Sequence, residues 1–269
     1  MKIILSKNGT LTDLTTILDD YKNGSSEIEI DHMQDAIFIG AIHPFNSKFF
    51  KIKTPAASSL IPKIEYWTGS SDWKEAIELI DETEGLTKSG FITLVPNKDH
   101  GWVREDTNRI TALYSKVIYD LFWMKISFGA SGPVEISWVG ELFSNDDDLS
   151  NEFPDLLRSQ TLDSFETGKT NWEAQHVIAA KLIIDDLRSK KIIDYKEQLL
   201  DRKEFTLASV QKCASIIYSS FGDDYLNNKR ECDIEYKKRI SKDIFNIDRN
   251  QSAQVNTQSI TQRQMRLSR

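Results

Sequence analysis

Two cysteines in 269 residues exclude a disulfide framework, which needs several pairs in a small, core-poor chain. Cys213 and Cys232 fall within predicted helices and read as two small buried thiols. No apolar run approaches the roughly 20 residues that span a bilayer, so no membrane contact is expected. Met1–Ser6 is too short for the apolar stretch of a signal peptide, and a reducing compartment is the expectation. Histidine is also scarce. His32, His43, His100 and His176 are scattered, with no H-E-x-x-H pair and no C-x-x-C pair to hold zinc. A phosphate loop, a dinucleotide-type glycine cluster and a G-x-S-x-G elbow are all missing from the sequence. Neither a cofactor nor a metal is expected, and nothing assembles a nucleophile, a base and an oxyanion site, so the chain is not expected to be an enzyme.

What is present supports a packed core. Hydrophobic residues make up 39% and charged residues 28%, which excludes global disorder. The net charge of −7 argues against a free-standing binder of duplex DNA, whose affinity needs basic groups.

The expected fold class is α+β: an N-terminal antiparallel β-sandwich, a C-terminal helical bundle and an extended C-terminal arm. Residues 1–145 read as the sandwich. Strands are predicted at 36–41, 48–53, 63–68, 73–79, 90–95, 121–128 and 134–142, separated by turn signals at 44–46, 68–70, 96–98 and 130–133. Asn8-Gly9 and Asn23-Gly24 mark further turns in the otherwise uninformative first 35 residues. In 123–128, Met124, Ile126 and Phe128 point one way and Trp123, Lys125 and Ser127 the other, so one face is expected to be wet or to meet a partner. In 49–53, Phe50 and Ile52 share a face, while Phe49 lies with Lys51 and Lys53.

The polar, acidic run 144–151 reads as a linker, and residues 151–246 as the helical domain. Thr170 and Glu173 have capping-box spacing ahead of a first helix that carries Trp172, Val177, Leu182, Ile183 and Leu187. A second helix is predicted over 206–221, with Leu207, Val210, Ala214, Ile217 and Phe221 as its buried stripe and Gly222 as its stop. A third covers 224–246, with Tyr225, Cys232, Tyr236 and Ile240 available for packing. Residues 247–269 hold no aromatic residue and four arginines against one aspartate. They read as an arm that orders on a partner.

Other candidates are weaker. Asp146, Asp147 and Asp148 offer oxygens for a hard cation, but the run has neither the glycine nor the distal glutamate of a calcium loop. Asp248–Ser252 starts like such a loop, yet Ala253 stands at its sixth position and Ser259 at its twelfth. Tyr66, Trp67, Trp73 and Trp102 would stack on sugars if exposed, or fill a core or subunit interface if not. In a regular strand Tyr66 and Trp67 point to opposite faces, so at most one is expected in the core.

Two segments stand out: Ile64–Trp73, which reads I-E-Y-W-T-G-S-S-D-W, and Asp81–Gly90, which reads D-E-T-E-G-L-T-K-S-G. They resemble a signature of tailed-bacteriophage structural proteins, Y-W-N-G-x-x-W followed by D-x-T-x-G-x-x-x-S-G. Ile39–Phe45 is similar to the I-G-x-x-x-P-F run that precedes it, and Phe122–Phe128 to a later strand. The resemblance covers roughly residues 36–142, with Thr68 in place of the usual asparagine and Met124 in place of a β-branched residue. The helical part and tail look like head–tail connector proteins of the virion neck. The resemblance implies an oligomeric ring adaptor, assembled in the host cytoplasm, that joins the portal protein to the tail or to further neck proteins. It implies passive contact with DNA in an axial channel, where a negative wall repels phosphate. It also implies a portal-binding arm, with Met265 and Leu267 as apolar anchors, Arg263, Arg266 and Arg269 seeking carboxylates, and Gln262 beside them. The alternative from another class is a carbohydrate-binding module of a phage fibre or cell-surface protein.

Overall fold

A computed structural model describes residues 1–22, 26–30, 35–69, 72–96, 101–114, 119–241, 245, 247–248 and 251. The protein is α+β, with antiparallel sheets at the N-terminus and helices after them. The described residues fall into two compact units, 1–140 with Asp248 and Gln251, and 141–247.

Among the described residues, twelve strands build the first unit: β1 (Lys2–Lys7), β2 (Thr10–Asp13), β3 (Ser26–Ile30), β4 (Ala36–Ala41), β5 (Ser47–Thr54), β6 (Pro62–Trp67), β7 (Trp73–Glu75), β8 (Glu78–Asp81), β9 (Gly90–Val95), β10 (Arg104–Asp106), β11 (Asp120–Phe128) and β12 (Gly132–Gly140). One sheet runs β2-β1-β4-β11-β6-β7, with β10 alongside the start of β11. The other runs β3-β12-β5-β9-β8. Every pairing among these strands is antiparallel. Ile37, Ile39, Ile64, Met124, Ile126 and Phe128 from the first sheet share one core with Ile28, Phe50, Ile92, Val134 and Ile136 from the second.

The strand at 73–79 is a correction. Trp73–Glu75 pairs with β6 in the first sheet, whereas Glu78–Asp81 pairs with β9 in the second. The chain changes sheets at Ala76-Ile77, where the Ala76 amide donates to Ile64 O and the Ile77 amide to Val95 O. The described part of the first 35 residues holds more secondary structure than its sequence suggests. Asn8-Gly9 turns the β1–β2 hairpin, with both residues at positive φ, and α1 (Thr15–Asp19) follows. The turn signals at 23–24 and 97–98 lie outside the described residues.

The face of β11 expected to be wet is dry at Trp123. The alternation holds, but Trp123 is buried in a second cluster with Ile4, Phe38, Trp67, Ile110 and Leu113. The segment after β10 forms two 3₁₀ turns, Thr107–Arg109 and Thr111–Leu113, which supply Ile110 and Leu113 to that cluster. The Trp123 indole donates to Glu105 O at 3.3 Å. Phe49, on the second face of β5, is also buried, against Phe91 at 5.0 Å.

The second unit contains α2 (Asp146–Glu152), α3 (Ser159–Phe165), α4 (Glu173–Ser189), α5 (Arg202–Tyr218) and α6 (Leu226–Ile240). The run 144–151, expected as a linker, is instead a helix with its start. Asn145 and Asp148 cap each other's backbone amides, three aspartates sit at the positive end, and Leu149 is fully buried. The Thr170–Glu173 capping box does not form. The Glu173 amide bonds Asn171 Oδ1, and the Trp172 amide bonds the Asp146 carboxylate. α5 starts earlier than predicted, capped by Asp201, and it stops at Tyr218. Val210, Ala214 and Ile217 are buried as expected, but Leu207 faces solvent, as do Leu182 on α4 and Tyr225. Trp172, Ala179, Val210, Cys213, Ala214, Ile217 and Cys232 share a core. Ile247 and Asp248, expected in the arm, are both buried, and Ile247 bridges to Leu199.

Candidate functional site

The first distinctive segment is a hairpin. The Thr68 amide and hydroxyl both bond Asp72 O, at 3.2 and 3.1 Å, and the Asp72 amide bonds Gly69 O at 3.0 Å. Gly69 takes φ +79°, which glycine adopts without strain. This turn sets Trp67 opposite Trp73 and Tyr66 opposite Lys74. Tyr66 and Trp67 do point to opposite faces, yet both are buried, because each face of this sheet has its own apolar cover. Tyr66 packs on Trp102, which also meets Phe45. Lys125 Nζ lies 2.7 Å from Glu65 and 5.8 Å from the Trp73 ring centre.

The second segment is a tight loop organised by one carboxylate. Asp81 accepts from the Thr83 amide at 2.8 Å, the Thr83 hydroxyl at 2.5 Å and the Gly85 amide at 2.7 Å. Thr83 Oγ1 in turn accepts from the Leu86 amide at 2.9 Å. Three consecutive residues, Glu84, Gly85 and Leu86, hold positive φ. The loop is stapled outward: the Ala56 amide bonds Leu86 O, the Leu60 amide bonds Gly85 O, and the Ile52 amide bonds Ser89 Oγ. A Cβ at Gly90 would lie 2.6 Å from Glu82 O, which explains the closing glycine. Both segments therefore do framework work.

The two segments flank a change of sheet at an edge of the first unit. β7 and β8 are edge strands of different sheets, joined directly at 76–77. Beside them runs a groove of about 490 Å³, lined by residues 61–64, 75–76, 79 and 127–129. Ile61 on its wall is 62% exposed, and nearby in sequence to the lining Ile77 is 63% exposed. Ile61 has φ +50°, a conformation that a β-branched side chain strongly resists. The Gly129 amide holds it there, donating to Leu60 O at 3.0 Å and Ile61 O at 2.9 Å. Lys63 in the lining is paired to Glu75 at 3.1 Å and Glu65 at 3.6 Å. Glu75 is two-thirds open to solvent, and Glu78 is exposed. No sequence motif marked this edge.

The residues singled out from sequence are placed as follows. The arm residues Gln262, Arg263, Met265, Arg266, Leu267 and Arg269 lie outside the described residues, as do His32, His100, Ala253 and Ser259. Trp67 and Trp102 are buried and Trp73 is half-buried, which leaves no open tryptophan platform for a sugar among these three. Asp146–Asp148 caps α2, and among the described residues no group of His, Cys, Asp and Glu could hold a metal ion. His43 and His176 belong to different units.

One cluster brings a serine, a histidine and an aspartate together. Ser144 Oγ is 2.7 Å from His176 Nδ1 and donates to Ser209 Oγ at 2.7 Å. His176 Nε2 stands 3.3 Å from Asp146 Oδ1 without hydrogen-bond alignment. Ser144, His176 and Ser209 are fully buried, so no substrate reaches the hydroxyl. The cluster pins the start of the second unit to α4 and α5. Cys213 and Cys232 are free and buried. Burial, then the Asp146 charge, pushes the Cys213 thiol well up, and burial, with Asp233 and Glu231, pushes Cys232 up to about 11.

No family model matches the chain, and no curated protein matches it. Among solved structures it is similar to a family 89 glycoside hydrolase from Clostridium perfringens in complex with 2-acetamido-1,2-dideoxynojirmycin, at 9% identity and TM-score 0.28, over 70% of this chain and 19% of that one. A variant of that hydrolase with GlcNAc-alpha-1,4-galactose gives 10% identity and TM-score 0.28, over 68% of this chain and 20% of that one. The chain thus spans about a fifth of the hydrolase's length, and a likeness this distant bears on no function.

Proposed function

We propose that this chain is a structural virion protein, a head–tail connector of the neck that forms a ring joining portal to tail around an axial DNA channel. On this reading the paired sheets are a β-sandwich, the helices of the second unit are the connector bundle, and the residues beyond Asp248 are the arm. The observation that carries the reading is the pair of segments at 64–73 and 81–90. They resemble the phage signature, and their residues serve the framework of one hairpin and one loop. An open two-sheet edge and a basic tail suit a heterologous ring, in which different patches meet on either side of each protomer. Repetition around such a ring multiplies a modest contact. The carbohydrate-binding reading requires an exposed tryptophan, and the burial of Trp67 and Trp102 weighs against it.

Truncation tests the reading. Because Ile247 and Asp248 are buried, the cut belongs after them, removing residues 255–269. The shortened chain is expected to keep its circular dichroism and melting profile and to lose co-sedimentation with the portal ring. Undiminished attachment to the portal would refute the arm's role.

A further inference from the structure

We propose that the β7–β8 edge receives the C-terminal residues 263–269 of a second copy of this chain, laid along it as an added strand. An edge strand presents unpaired backbone groups, and extended peptides bind such edges through main-chain hydrogen bonds, with alternate side chains seated in pockets. The tail has the matching pattern. Met265 and Leu267 fall on one side of a strand and Arg266 on the other. The groove presents Ile61 and Leu79 for the apolar pair. For arginines it offers Glu75, which already pairs with Lys63, and exposed Glu78 stands on β8 outside the lining. After Asp248 the sequence has no acidic residue, so its charge complements that rim. Asp248 belongs to the first unit, and the chain beyond it can span up to roughly 70 Å, enough to leave its own protomer.

The choice of a second copy rests on the ring assembly proposed above, because a tail-to-edge contact is heterologous and repeats from one copy to the next. The contact itself needs no portal, so its test is separate from that of the adaptor. Where a portal is present, it competes for the same tail.

Cysteine pairing reads this directly, since both native thiols are buried. Full-length Ile77→Cys and Leu267→Cys chains are mixed and mildly oxidised. A disulfide-linked dimer is expected in the mixture, well above that in either variant alone. Adding Glu75→Lys and Glu78→Lys to the Ile77→Cys chain is expected to lower its yield on the order of tenfold. Ile80→Cys on β8 serves as a second reporter, with circular dichroism confirming the fold of each variant. No dimer above the single-variant level with either reporter overturns the proposal. So does a doubly substituted chain, Ile77→Cys with Leu267→Cys, that closes only on itself at a rate independent of concentration.

Discussion

Trp67 and Trp73 face each other across the β6–β7 hairpin, their ring centres 5.3 Å apart and inclined at 70°. Trp73 also touches Phe38 at 5.5 Å, so a three-residue edge strand is anchored by one side chain to the outer cluster of its sheet. Trp73→Ala is expected to cost about 3 kcal/mol, close to the usual loss for a large aromatic. Trp73→Phe should cost clearly less. Urea denaturation followed by tryptophan fluorescence measures both.

The loop at 81–90 depends on Asp81 and on Gly85. Asp81→Ala leaves the Thr83 and Gly85 amides without their acceptor and should cost about 2–3 kcal/mol. Gly85→Ala should cost as much or more. Its Cβ would lie 2.1 Å from Ser59 Oγ and 2.9 Å from the Leu60 amide nitrogen, at a φ of +75°. Thermal melts of the two variants check the order.

Ile61 should behave in the opposite sense. Its side chain is mostly exposed, so little burial is lost on removing it, while its φ of +50° is strained. Ile61→Gly is expected to stabilise the isolated chain by about 1 kcal/mol. If the edge is a docking surface, the same change weakens association of copies, and sedimentation of the variant reports that separately.

Alkaline pH should weaken the second unit. Both cysteine thiols have folded pKa values raised by burial, Cys232 to about 11, and Tyr236 is raised by burial and its bond to Asp186. A raised pKa means that the unfolded chain releases its protons first. The stabilising contribution is therefore complete below about pH 9 and is lost as pH climbs through 11. Urea midpoints at pH 8, 9.5 and 10.5 should fall progressively, and Cys213→Ala with Cys232→Ala should flatten the slope.

Much of the β framework was legible because strand alternation survives wherever one face meets the common core. Met124, Ile126 and Phe128 are the clearest case. Alternation carries no information about what covers the other face, so it does not reveal the burial of Trp123 and Trp67: Ile110 and Leu113 arrive from a distant segment. The sheet change at Ala76-Ile77 was hidden, because Trp73 through Ile80 alternates in neither parity. The acidic run 144–151 imitates a linker, since the helix it begins draws its capping from Asn145 and Asp148 and buries only Leu149. The Ser144–His176–Ser209 contact joins residues far apart in sequence, and no local spacing announces it. The open edge was equally silent, being defined by strand order alone.

Electron microscopy of the particle that contains this chain would image the proposed annular assembly at the portal. A closed ring of copies beneath the portal vertex, surrounding an axial channel, is the expected result. Density for this chain only at a fibre or baseplate, or isolated single copies with no ring, would contradict it.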